Sequence, residues 1–146
     1  MNRLYILLTV MVVMVGAPPF AAHEALAELL IGTTGNDTLL GSDTDDYLKG
    51  RGGDDYLKGS GSDDYLNGGG GDDTIEGGGG NDEIIPGEGD DVVYAGASND
   101  RIYARDTGGL DYIDCGGGFD KVETIHRDDR TKSNCERALG PLQGDI

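Results

Sequence analysis

The sequence predicts an all-β protein, a parallel solenoid of about ten nine-residue repeats closed by a small C-terminal cap. Three observations lead there. From residue 32 the chain reads GTTGNDTLL, GSDTDDYLK, GRGGDDYLK, GSGSDDYLN, GGGGDDTIE, GGGGNDEII, PGEGDDVVY and AGASNDRIY, eight blocks without a slip. The sixth position is Asp every time, the eighth is always aliphatic, and the fifth is always Asn or Asp. Glycine fills 27 of 146 positions and Trp none, which suits short units that bury their apolar residues by stacking on one another.

Residues 1–27 are different material. A basic start at Asn2-Arg3 precedes an apolar run over 4–15, and Pro18-Pro19 ends it. Twelve helical residues reach roughly 18 Å, short of the roughly 30 Å hydrocarbon layer that a spanning helix must cross. The segment reads as a secretory signal peptide, with Ala25-Leu26-Ala27 as the small-x-small cleavage site. Export places the protein outside the cell, where free calcium is plentiful. The remaining chain divides into a repeat array over 28–123 and a cap over 124–146.

One block can be built from its residues. Glycines at the first, second or fourth positions permit positive φ and tight turns. The last three positions form a short strand that sends the eighth residue inward and the seventh and ninth outward. Two turns and two strands close a flattened coil of 18 residues. Strands of successive coils then pair in parallel, even blocks building one sheet and odd blocks the other. The inward rank is Leu39, Leu48, Leu57, Leu66, Ile75, Ile84, Val93 and Ile102.

The same winding stacks the aspartates Asp37, Asp46, Asp55, Asp64, Asp73, Asp82, Asp91 and Asp100 along the two edges. Asp46 lies over Asp64, and Asp55 over Asp73. Carboxylates about 4.8 Å apart repel unless a cation lies between them. Together with the carbonyls of glycine-rich turns they offer an all-oxygen site suited to calcium, a hard ion tolerant of irregular geometry. The repeats contain no His or Cys for zinc or copper. Four turns on each edge leave three gaps, hence about six interior ions. One aliphatic residue per block contributes roughly 1.5–3 kcal/mol, against roughly 1–2 kcal/mol of backbone entropy per residue. Metal-free folding is therefore expected to fail.

The blocks GGGGDDTIE and GGGGNDEII resemble the repeats-in-toxin (RTX), or haemolysin-type, calcium-binding nonapeptide. The resemblance covers residues 32 to about 123 and implies a parallel β-roll, with calcium held between turns by sixth-position aspartates and turn carbonyls. The chain departs from the pattern at Pro86, Ala95, Ala104 and Cys115 in the first position, and at Thr44, Ser62 and Ser98 in the fourth. Those turns are expected to bind less well. After residue 103 comes ARDTGGLDYID, two residues too long, and then CGGGFDKVE restores the register. Asp111 and Asp120 are candidates for further ligands, although Leu110 and Phe119 replace the polar fifth residue. Many family members carry a C-terminal export signal, whereas this chain has an N-terminal one.

The two cysteines, Cys115 and Cys135, read as a disulfide in an exported chain. The bond would fasten the non-repeating tail over the last coil, because solenoid ends expose core and strand edges. Leu29, Leu30 and Ile31 are expected to add a strand at the front.

Other motifs carry less. The glycine runs lack the Lys-Ser/Thr of a phosphate loop, and their acids would repel phosphate. Asp43 and Asp45 open like an EF-hand, but Leu48 occupies its glycine. His126 reads as a solvated side chain, Asp128-Asp129 as a loop face, and Asn36-Asp37-Thr38 as a glycosylation triplet hidden by its turn. Tyr47, Tyr56 and Tyr65 read as strand formers on outward faces, with stacking on a sugar or partner protein as the alternative. A formal charge of −17 disfavours nucleic acid and anionic membranes. The expected function is that of a secreted calcium-binding module, structural or adhesive and without catalysis. The alternatives are an accessory module related to secreted RTX hydrolases and a carbohydrate or protein binder.

Overall fold

The computed structural model describes residues 27–105, 109–124 and 130–139. The strands follow the repeat: β1 Leu29–Ile31, β2 Thr38–Leu40, β3 Tyr47–Lys49, β4 Tyr56–Gly61, β5 Tyr65–Gly70, β6 Thr74–Gly79 and β7 Glu83–Glu88. They continue with β8 Val92–Ala97, β9 Arg101–Ala104, β10 Tyr112–Asp114, β11 Lys121–Thr124, β12 Arg130–Thr131 and β13 Glu136–Leu139. Odd strands form a seven-stranded sheet and even strands a six-stranded one, each in chain order. All pairings are parallel, as a coil that always winds the same way requires. The result is an all-β solenoid of about five coils.

The pairing repeats every 18 residues, as in Leu48 with Leu66 and Leu57 with Ile75. Across the eleven-residue block it widens, placing Tyr112 beside Val92 and Lys121 beside Arg101. It then narrows in the tail, where Glu136 pairs with Lys121. The two extra residues therefore fall between Ala104 and Tyr112, and the strand register survives on both sides.

Central strands are longer than expected. From β4 to β8 they run six residues, through the third position of the next block. Alternation along this length turns the first-position residue inward as well as the eighth. The core therefore has a second rank: Ala95, Ala104 and Cys115 pack with Leu48, Leu57, Leu66, Ile75, Ile84, Val93, Ile102, Ile113 and Val122. Where the first position is glycine, the inward place holds another group. A Cβ on Gly50 would meet Asp55 Oδ2 at 2.1 Å and Gly68 O at 2.5 Å, and one on Gly59 would meet Asp64 Oδ2 at 2.2 Å. At these turns the carboxylate itself lies over the glycine. Pro86 also occupies this rank, and β7 pairs with β9 only over Glu83 and Ile84, since Pro86 offers no N–H to continue.

At the front, β1 pairs with β3 as expected, and Leu30 packs against the core while Leu29 and Ile31 are exposed. At the back, β12 and β13 extend both sheets by one strand. Cys115 and Cys135 are disulfide-bonded, Lys132 pairs with Asp114 at 2.6 Å, and the Asn134 amide donates to Gly116 O at 2.7 Å. The bond closes a loop of about 20 residues, worth on the order of 3 kcal/mol in the chain-entropy model. Reduction, or Cys135→Ser, is expected to expose the chain after residue 104 to protease, with 50–104 protected in saturating calcium. Limited proteolysis with mass spectrometry checks this, and simultaneous loss of the whole array would make the tail its folding nucleus. Of the segment 1–27 expected to be a signal peptide, residues 1–26 lie outside the described residues, as do His126 and Asp128-Asp129.

Candidate metal centre

The sixth-position aspartate precedes its strand, two residues before the aliphatic one, and so points inward with it. Asp46, Asp55, Asp64, Asp73, Asp82, Asp91, Asp100, Asp111 and Asp120 are all buried. A row of buried carboxylates demands partners. One oxygen of each has a partner within the fold. The Asp55 N–H donates to Asp73 Oδ1 at 2.8 Å, Asp64 N–H to Asp82 Oδ1 at 2.9 Å, and Asp82 N–H to Asp100 Oδ1 at 2.9 Å. Asp37 and Asp46 donate likewise to Asp55 and Asp64, and Asp73 to Asp91. The series continues through Asp91 N–H to Asp111 Oδ1 at 3.1 Å and Asp100 N–H to Asp120 Oδ1 at 2.9 Å. Both aspartates beyond the long block thus sit in the ladder. Leu110 and Phe119 do not disturb it, because the inner rung uses no fifth-position side chain.

The second oxygen divides the aspartates into two groups. In Asp55, Asp64, Asp73, Asp82, Asp100 and Asp120 the Oδ2 is buried and has no hydrogen-bond partner among the described residues. At the first two turns it is already satisfied. Asp37 Oδ2 accepts from the Thr33 N–H at 2.6 Å and hydroxyl at 2.9 Å, and Asp46 Oδ2 from the Ser42 N–H at 2.6 Å and hydroxyl at 3.1 Å. The backbone explains the division. The following turns hold their second residue at positive φ, at Arg51 (89°), Ser60 (94°), Gly69, Gly78, Gly87 and Gly96, whereas Thr33, Ser42 and Arg105 of the long block do not. Positive φ at this residue accompanies an aspartate Oδ2 that takes no bond from its own turn. Ser62 and Ser98 adopt the left-handed conformation expected of glycine, while Thr44, in a self-satisfied turn, does not.

Burial governs the electrostatics. Desolvation pushes Asp64 and Asp100 up to about 7 and Asp73 and Asp82 up to about 6, against an ordinary value of 3.8. The N–H rung opposes this in each case, and neighbouring aspartates add to it. Asp55 is raised for the same reasons. The protein alone therefore does not stabilise the ionised ladder.

The residues fit a hard cation. Besides the orphaned oxygens, turn carbonyls lie close against the glycines of the next coil: a Cβ on Gly71 would fall 2.6 Å from Gly53 O, and one on Gly80 would fall 2.0 Å from Ser62 O. Among the described residues no three His, Cys, Asp or Glu side chains converge on one point. A cation here would accordingly take few carboxylates and several carbonyls, a donor set for calcium rather than a transition metal.

The sequence reading missed a second ladder. Fifth-position side chains lie outside and run the opposite way, each accepting from the next coil. Asp63 N–H donates to Asp45 Oδ1 at 3.2 Å, Asp72 N–H to Asp54 Oδ1 at 3.1 Å, and Asp90 N–H to Asp72 Oδ1 at 2.9 Å. Leu110 and Phe119 donate to Asp90 and Asn99 and end the two outer rows. Asn36 is tied into this ladder by accepting from Asp54 N–H at 3.0 Å. The signal was the constant Asn or Asp at the fifth position. Tyr47 and Tyr65 stack face to face, 4.7 Å between centroids and 6° from parallel, so each ring presents one face to the other. Tyr56 lies on the opposite sheet. No helix among the described residues is long and apolar enough to cross a membrane.

Comparison with known proteins agrees with this geometry. The family model of the RTX calcium-binding nonapeptide repeat (4 copies) matches residues 25–57, 50–84, 58–93, 77–107 and 85–122. No curated protein and no solved structure matches the chain. The nine-residue winding, the inward aspartates and a match spanning most of the chain lead to one assignment: the chain belongs to the RTX calcium-binding nonapeptide repeat family.

Proposed function

We propose that this calcium-binding β-roll is an exported structural or adhesive module, without catalysis, whose folding is driven by its ions. The observation that carries the reading is the row of buried, partnerless Oδ2 atoms on Asp55, Asp64, Asp73, Asp82, Asp100 and Asp120. Leaving an ionised oxygen buried without a partner is strongly unfavourable. A divalent ion neutralises it, and its binding energy becomes folding energy. Asp91 and Asp111 occupy the same rank, whereas Asp37 and Asp46 close their turns without an ion. Beyond the first two turns lie six inner rungs, three on each edge. Each gap is taken to hold one ion, about six in all. The processing of residues 1–27, the division at 123/124 and the extracellular location are part of this proposal.

Calorimetric titration of the chelator-treated chain at pH 8 tests it. About six calcium ions per chain are expected, with β structure appearing cooperatively. Magnesium is expected to substitute poorly, because it requires strict octahedral geometry and dehydrates reluctantly. A full β spectrum before any metal is added would overturn the reading.

A further inference from the structure

The first rung of the inner ladder differs from the rest. Asp46 has no aspartate one coil before it, and its Oδ1 accepts from the N–H of Glu28 at 2.6 Å. Glu28 is also the first residue whose carbonyl enters a sheet, taking the Tyr47 N–H at 2.8 Å. Ala27 before it is exposed. The small-x-small motif Ala25-Leu26-Ala27 ends on the same peptide bond at which the ordered pairing begins. Asp46 is buried to 4 % exposure, and among the described residues no Lys or Arg forms an ion pair with it. Its two oxygens are both hydrogen-bonded, yet among the described residues no cationic side chain compensates its charge.

Resting on the processing proposed above, we infer that cleavage between Ala27 and Glu28 makes a new cation for this end of the ladder, the α-ammonium of Glu28 paired with the buried carboxylate of Asp46. In the cleavage a peptidase adds water across the amide. The C–N bond breaks, Ala27 leaves with the oxygen as a carboxylate, and Glu28 keeps the nitrogen as an ammonium. Before cleavage the Asp46 carboxylate accepts from a single neutral N–H. Afterwards it faces a full positive charge with three donors, an ion pair in place of a charge–dipole bond. The ammonium does at the front turn what a divalent ion does further in, and it couples removal of the leader to closure of the first coil. The surroundings favour a cation, since Asp45, Asp63 and Asp64 line the same shallow groove as Glu28 and Asp46.

The test has two arms. N-terminal sequencing and intact mass of the exported protein are expected to show a chain beginning at Glu28. A start at any other residue overturns the inference together with the processing reading. The mature chain is then prepared with a free and with an acetylated Glu28, both in saturating calcium, and amide exchange is followed by NMR. Acetylation is expected to speed exchange of the Gly32 and Tyr47 amides, which bond to Lys49 O and Glu28 O, about tenfold. Amides of β5 to β8 are expected to be unaffected. Asp46→Asn keeps an oxygen acceptor but removes the charge, so in that background acetylation is expected to change little. Equal exchange in the free and acetylated chains overturns the ammonium rung while leaving the cleavage site standing.

Discussion

A chelator added at pH 8 is expected to abolish the β spectrum, and acidification toward pH 4 in the same chelator is expected to restore much of it. The sign follows from the ladder. Asp64, Asp73, Asp82 and Asp100 have folded-state values near 6 to 7, above the ordinary 3.8 of an exposed aspartate. The folded chain therefore binds protons more tightly than the unfolded one, so the metal-free fold gains stability as pH falls. That contribution is fully present below about pH 4 and is lost as pH rises through 6 to 7. Protons and calcium neutralise the same oxygens, so the calcium midpoint should rise on acidification. Circular dichroism over a grid of pH and free calcium measures both. A metal-free chain equally unfolded at pH 8 and pH 4 would mean that buried charge is not what opposes folding.

The second large effect is a reversal of sign at one residue. Asp73→Asn keeps an oxygen for the Asp55 N–H but removes the buried charge, whereas Asp73→Ala removes both. In saturating calcium both substitutions destabilise, and Ala costs about 1–3 kcal/mol more because it leaves a buried N–H without a partner. In chelator at pH 8 the order changes: the Asn variant is expected to be more folded than the parent. Asp64 should behave in the same way. Asp37→Asn should show little of either effect, because the Asp37 Oδ2 is already held by Thr33. Urea titrations of the variants with and without calcium decide the matter. If Asp37→Asn and Asp73→Asn raise the calcium midpoint equally, the distinction between front and inner turns fails.

The inner ladder was legible because a constant Asp two places before a constant aliphatic residue can only share its face. Leu48 over Leu66 and Asp46 under the Asp64 carboxylate follow from the spacing alone. The second inward rank was harder to see. Glycine carries no side chain to mark the face it lies on, and only Pro86, Ala95, Ala104 and Cys115 betray that the strand continues past its third residue. The exceptional front turns were hidden for a different reason. Arg51 and Ser60 take positive φ despite having a Cβ, so composition at the second position does not separate them from Thr33 and Ser42. That difference arises only when Thr33 and Ser42 turn their own N–H groups onto the carboxylate.

The two ladders run in opposite directions, and this bears on polymerisation. A parallel solenoid is at risk of head-to-tail growth, one copy laying its first coil on the last coil of another to build a fibre. The two rows also stop short of the end. Each coil takes its outer acceptor from the coil before, and the rows close at Leu110 and Phe119, which donate an N–H and have no side-chain oxygen to offer. The last strands, β12 and β13, are therefore laid on without an acceptor from those two side chains and are held by the Cys115–Cys135 bond and the Lys132–Asp114 pair. The residues that break the repeat pattern thus mark where stacking gives way to a fastened cap, and an incoming first coil meets that cap instead of a repeat turn.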